Sequence, residues 1–229
     1  MVMHGRRRNG EDYCGYFAAE SDRAGFLVIA PEFSEAHYPH PHGYNYGGMV
    51  DAEGTVRPRS EWLFPVLDTV FRDVRARMGC VRDRFFLFGH SAGSQLVHRL
   101  ATFGWLGSIE RAVTANAGSY TLPMHDEHFP FGLAGVPITD EELRRFFSRP
   151  LVVLLGDEDI DESDPDLPRE LEAMRQGRTR FARGQRYFEI AQREAARVGV
   201  KLAWRLAIAP GIAHSGQRMA PFAVTELGL

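Results

Sequence analysis

Cysteine is scarce in this 229-residue chain, with only Cys14 and Cys80 present. Two such residues are read as reduced thiols of a cytosolic protein rather than as a disulfide framework. Positive charge is not in excess, since the formal net charge is -3. That argues against a general nucleic-acid binder, which would be expected to be basic. Long hydrophobic runs are missing, and no apolar stretch approaches the length of a membrane span. The opening residues Met1 to Gly10 have no apolar core segment, so no secretory signal is visible. These features together predict a cytoplasmic protein with no membrane partner. A metal-ligand pattern is also lacking. His37, His40 and His42 lie in a proline-interrupted loop, and no cysteine or acidic pattern completes a site. Internal repeats and low-complexity linkers are absent, so a second domain is not supported.

What is present is an ordinary globular composition, 44% hydrophobic and 25% charged, in a chain long enough to bury a substantial core. Short apolar runs alternate with helix-period stretches, the pattern of an α/β domain with a mostly parallel sheet. Residues 1–229 are read as one such domain. Phe26 to Ala30, Phe85 to Phe88, Ile109 to Ala115 and Leu151 to Leu155 are strand candidates, and Lys201 to Ala209 alternates and closes the sheet. Helices are expected over Glu11 to Ala24, Ser60 to Met78, Arg180 to Val198 and Gln217 to Thr225. Two long insertions, about 32–59 and 119–150, read as lids or pocket walls.

The most informative residues are Gly89-His90-Ser91-Ala92-Gly93, a G-x-S-x-G sequence. They follow the apolar run ending at Phe88 and precede a helix-like stretch, Ser94 to Ala101. Strand, tight turn and helix is the context in which this sequence exposes a nucleophilic serine. A serine hydroxyl needs a base within hydrogen-bond reach, and the base needs a partner that fixes its tautomer. On a sheet of this kind these partners follow in the order serine, acid, histidine. After Leu151 to Leu155 comes Gly156-Asp157-Glu158-Asp159-Ile160-Asp161. Asp159 is favoured because G-x-x-D here resembles the usual acid loop of serine hydrolases. Asp157 is its main rival and Asp161 a weaker one. After the last strand, His214 lies in a Gly- and Ser-rich loop and is the expected base.

A tetrahedral intermediate carries a negative oxygen that backbone N–H groups must hold. The Ala92 amide is one expected donor. The other is the amide of Arg6, after His4-Gly5, with Gly5 as the lesser choice. Arg6-Arg7-Arg8 reads as a solvated loop more readily than as a cationic rim for an anionic substrate. Tyr44 and Tyr46 are candidates for the substrate pocket, with Phe129 and Phe131 near them; ordinary loop packing explains all four equally well.

The chain resembles the α/β-hydrolase superfamily over nearly its whole length. More narrowly it is similar to the poly(3-hydroxybutyrate) depolymerase-like esterase group. Val2-Met3-His4-Gly5, Ala30-Pro31-Glu32-Phe33, Tyr44-Asn45-Tyr46-Gly47-Gly48, Gly89 to Gly93, Gly156 to Asp159 and Pro210 to His214 carry that likeness. The resemblance implies hydrolysis of a small-molecule or oligomeric carboxylic ester through an acyl-enzyme, without a cofactor. It also implies an antiparallel hairpin and a full strand before His4-Gly5. Only Met1-Val2-Met3 stand there, so the N-terminal strands are expected to be missing or truncated. Alternatives are a serine peptidase or a non-catalytic binding protein that retains the fold.

Overall fold

Phe85–His90 and Leu151–Gly156 are apolar at nearly every position, which suits strands covered on both faces. In the computed structural model, which describes residues 1–229, they form the middle of a parallel sheet. Its five strands are β1 (Val2–Met3), β2 (Phe85–His90), β3 (Ile109–Ala115), β4 (Leu151–Gly156) and β5 (Arg205–Ala209), in that spatial order. Helices are α1 (Gly10–Tyr16), α2 (Ala18–Ala24), α3 (His40–Gly43), α4 (Phe64–Met78), α5 (Ala92–Phe103), α6 (Asp140–Phe147), α7 (Leu171–Gln176), α8 (Arg180–Arg197) and α9 (Gly216–Leu227). Parallel neighbours require crossovers, and the helices between the strands supply them.

Side chains alternate across the sheet, so successive strand residues enter different cores. Leu87, Leu151, Val153 and Leu155 join the larger core with Leu67, Leu96, Leu100, Leu143 and Tyr187 from α4, α5, α6 and α8. Phe88, Val113, Val152 and Leu154 join the smaller one with Tyr13, Phe17, Met219 and Ala223 from the other face. Strand register then sets the position of the site. Met3 pairs with Gly89, His90 with Ala115, Ala115 with Leu154, and Gly156 with Ala209. The residues that follow each strand therefore emerge at one carboxyl edge, where parallel sheets bind ligands.

Several expected elements differ in extent. The helix over Glu11 to Ala24 breaks at Phe17, which leaves helical register (ψ 0°) as its ring packs edge-on against Phe88. Phe26 to Ala30 forms no strand. It runs beside β1, where Val2 N–H donates to the Ile29 carbonyl at 2.8 Å, but a two-residue strand offers too little ladder to pair with. The helix expected from Ser60 starts at Phe64, with Pro65 in its first turn where no N–H is needed. β5 covers only the end of Lys201 to Ala209, because the Ala203 amide is taken by the Phe147 carbonyl. The 119–150 insertion is not wholly loop: it contains α6, opened by a Thr139–Glu142 capping box. No helix is long and apolar enough to cross a membrane.

Candidate active site

Ser91 sits between β2 and α5 with φ +57° and ψ -117°, outside the basins a side chain prefers. Such strain typically costs about 1–3 kcal/mol and persists only where packing over-determines it. Here the packing is visible at two glycines. A Cβ on Gly89 would lie 2.3 Å from the Gly93 carbonyl oxygen, and one on Gly93 would lie 2.2 Å from that of Met3. The elbow can close onto β1 only because both side chains are absent. The Ser91 amide donates to the Ala115 carbonyl at 3.0 Å, which fixes the turn from the other side.

The three sequence-predicted side chains meet at this turn. Ser91 Oγ lies 3.1 Å from His214 Nε2, and His214 Nδ1 lies 2.7 Å from Asp159 Oδ2. With the imidazole proton on Nδ1, the ring donates to Asp159 and is free to accept from Ser91. Asp157, the rival acid, has a different place. Its carboxylate accepts the Gly211 amide at 2.7 Å. With Asp157 N–H to the Ala209 carbonyl and Glu158 N–H to the Ile212 carbonyl, it zips the acid loop to the histidine loop. Asp161 is exposed and accepts from Ser163.

His4 is fully buried, and burial lowers its pKa to about 4. It is therefore neutral near pH 7, with Nδ1 bonded to the Gly5 carbonyl and Nε2 accepting the Phe33 amide. Tyr44 is not a pocket residue. It is fully buried, stacks on His4 with ring centroids 4.5 Å apart, and donates its hydroxyl to the His4 carbonyl. An aromatic in a glycine-rich loop gives no sign in sequence of facing the cleft or the loop behind it. Tyr46 does line the cleft, above the buried Arg99, whose guanidinium lies 4.7 Å from its ring centre.

The cleft beside Ser91 holds about 490 Å³, with Arg6, Tyr46, Ala92, Gln95, Phe131 and Asp166 among its walls. Ala92 is the first residue of α5, so its N–H has no intrahelical acceptor. A smaller recess of about 270 Å³ opens on the His214 side and shares Arg6, Ser91 and Asp166 with the cleft. Arg6 pairs with Asp166, and Arg8 turns inward to Glu35 and to the Phe33 and Tyr38 carbonyls. Arg6 and Arg8 are thus each paired with a carboxylate, while Arg7 between them is exposed. An apolar groove of about 480 Å³ lies at the β1 edge, lined by Phe26, Leu27, Val81 and Phe86, away from Ser91.

Two further buried groups flank the site. His90, the variable residue of the elbow, is held well below its ordinary pKa by burial and by His214. Its ring centre is 4.6 Å from that of His214, and its Nδ1 is 2.9 Å from the Tyr13 hydroxyl. Arg180 opens α8, where helical periodicity does not distinguish it from a solvated residue, yet it is 1% exposed. It lies 3.5 Å from Asp159 Oδ1 and 2.6 Å from Asp164 Oδ2.

No protein-family model and no curated protein matches the chain. Solved structures do. Poly(aspartic acid) hydrolase-1 from Sphingomonas sp. KT-1 is 36% identical with a TM-score of 0.95, over 100% of this chain and 86% of that one. LpqC, a poly(3-hydroxybutyrate) depolymerase from Bordetella parapertussis, is 39% identical with a TM-score of 0.91, over 97% of this chain and 76% of that one. An S-formylglutathione hydrolase from Agrobacterium tumefaciens shares the fold at 14% identity and a TM-score of 0.55, over 99% of this chain and 80% of that one. With its all-parallel sheet, its serine elbow and two relatives above 35% identity, the chain belongs to the α/β-hydrolase superfamily, in the poly(3-hydroxybutyrate) depolymerase-like hydrolase group.

Proposed function

We propose that the chain is a serine hydrolase that cleaves carboxylic esters through an acyl-enzyme. The observation that carries this reading is the hydrogen-bonded line from Ser91 through His214 to Asp159, at 3.1 and 2.7 Å. His214 takes the Ser91 proton as Oγ attacks the acyl carbonyl. Asp159 holds the ring in the accepting tautomer and stabilises the imidazolium. The amides of Ala92 and Arg6 hold the oxyanion, where each such donor is typically worth on the order of a hundredfold in rate or more. Collapse of the intermediate breaks the ester C–O bond, and His214 gives its proton to the departing alcohol. Water then attacks the acyl-serine with His214 as base, releasing the acid and restoring Ser91. The polar walls around Ser91, with Asn45, Gln95, Ser119 and the two arginine pairs, favour a short or polar acyl group over a long apolar one.

A second reading, hydrolysis of amide bonds in an anionic chain, has one specific support. Arg6 and Arg8 both line the cleft, and one relative is named a poly(aspartic acid) hydrolase. Labelling with a fluorophosphonate, followed by peptide mass analysis, is expected to give a single adduct at Ser91. An adduct elsewhere refutes the assignment. Comparing short acyl esters with aminoacyl amides and poly(aspartic acid) separates the readings, and the ester reading expects a strong preference for the esters.

A further inference from the structure

The acid in this site does not stand on its loop alone. Residues 157–170 leave β4, carry Asp159 at 2% exposure, and return as the Pro165 to Pro168 wall of the cleft. The first turn of α8 grips this excursion. The Phe181 amide donates to the Asp159 carbonyl at 3.2 Å. Arg180 reaches both Asp159 and Asp164. Arg183, on the same face and fully buried, donates to the carbonyls of Gly118 and Pro168, both in the cleft wall. Neither arginine is a solvated helix residue.

We propose that Arg180 is the positioning residue of the acid, with Asp164 as its counterweight. The two oxygens of Asp159 face different partners, Oδ2 toward His214 and Oδ1 toward Arg180. A carboxylate bonded at one oxygen can turn about its last torsion, and a buried cation facing the other oxygen opposes that turn electrostatically. The two distances matter. Arg180 makes its short contact to Asp164, at 2.6 Å, and its longer one to Asp159, at 3.5 Å. It therefore steadies Asp159 without drawing it off the imidazole. Without Asp164 the guanidinium would close on Asp159 and compete with His214. Because Asp164 directly precedes the cleft wall at Pro165, one buried cation sets the acid and the wall together. The inference rests on the serine-hydrolase reading for what the acid does, but not for how it is held.

The test compares Arg180→Met, Arg180→Lys and Asp164→Asn with the parent, by kinetics on an activated short-chain ester. The low-field proton resonance of the His214 Nδ1–H to Asp159 bond is followed by NMR, which needs no turnover. A small displacement of a catalytic group costs on the order of a hundredfold, so Arg180→Met is expected to lose about that in kcat. Its KM should stay within about threefold, since the loss falls on the transition state rather than on binding. Its low-field resonance should broaden or vanish. Arg180→Lys keeps a cation and should recover to within about tenfold of the parent, with the resonance restored. Asp164→Asn should weaken the resonance and lower kcat by about tenfold. The proposal is overturned if folded Arg180→Met keeps both the resonance and kcat, or if folded Arg180→Lys is as damaged as Arg180→Met. Should Arg180→Met not fold, parental kcat and resonance in both Arg180→Lys and Asp164→Asn overturn it. A parent that cleaves no ester and takes no fluorophosphonate at Ser91 defeats the hydrolase reading instead, and the resonance still decides the role of Arg180.

Discussion

The Ser91 side and the Asp159 side of the site are built on opposite principles. Around Ser91 the structure depends on absence of bulk, with Gly89 and Gly93 letting a strained turn close onto β1. Around Asp159 it depends on charge, with His214, Arg180 and Asp164 distributed about one buried carboxylate. The first is short-range along the chain, spanning five consecutive residues. The second joins residues 159, 164, 180 and 214 from three segments. The difference teaches where each side is fragile. The elbow should break when volume is added, and the acid side when charge or hydrogen bonding changes at constant volume.

The largest expected effect tests the acid side. Asp159→Asn keeps the shape but replaces an ionised acceptor by an amide that favours the wrong imidazole tautomer. It should lower kcat by roughly 10³–10⁴-fold, with a lowered melting temperature because the buried Arg180 loses one of its two carboxylates, measured by ester kinetics and calorimetry. Activity within tenfold of the parent would remove Asp159 from the acid role.

On the Ser91 side, Gly93→Ala places a methyl against the Met3 carbonyl at 2.2 Å and should destabilise the fold by about 3 kcal/mol in urea unfolding. Parental stability would show that the close packing is not required. Acid provides a third contrast. His4 has a folded pKa of about 4 against an ordinary value of 6.5, so the unfolded chain binds the extra proton first. Its contribution is fully present above about pH 6.5 and is lost as pH falls from there toward about 4, on the order of 3 kcal/mol at most. The slope should flatten in His4→Gln, measured by denaturant titration across that range. The smallest effect is expected at Asp157→Ala. Losing the Gly211 bond should cost roughly 1 kcal/mol of stability and no more than about tenfold in kcat. A loss as large as that of Asp159→Asn would reverse the ranking of the two acids.

These contrasts follow what could be read in the chain. The elbow was legible because its constraints are local: two glycines around a serine, an apolar run before and an amphipathic stretch after. Leu151 to Leu155 was legible for the same reason, since a strand buried on both faces must be apolar throughout. Asp159 and Asp157 could be separated only by preference, because both follow the same strand in an acidic loop. Their division of labour appears when Asp157 turns to Gly211 and Asp159 to His214. Tyr44 and Tyr46, two residues apart, part company in the same way, one buried under His4 and one facing the cleft.

By itself the amino-acid sequence determined the class of fold, the order of serine, acid and histidine, and the strained turn that carries Ser91. The fold class and the turn depend on residue type and short-range pattern, and the order of the three residues is the order of the chain itself. The tertiary structure alone decided which aspartate meets the imidazole, that Arg8 turns inward and Arg6 across to Asp166, and that Arg180 is a buried counter-charge rather than a surface cation. The physical reason is that an ionisable side chain looks the same in sequence whether water or a partner balances it. Only the packing of α8 and the 157–170 loop excludes water from Arg180 and leaves carboxylates to compensate it.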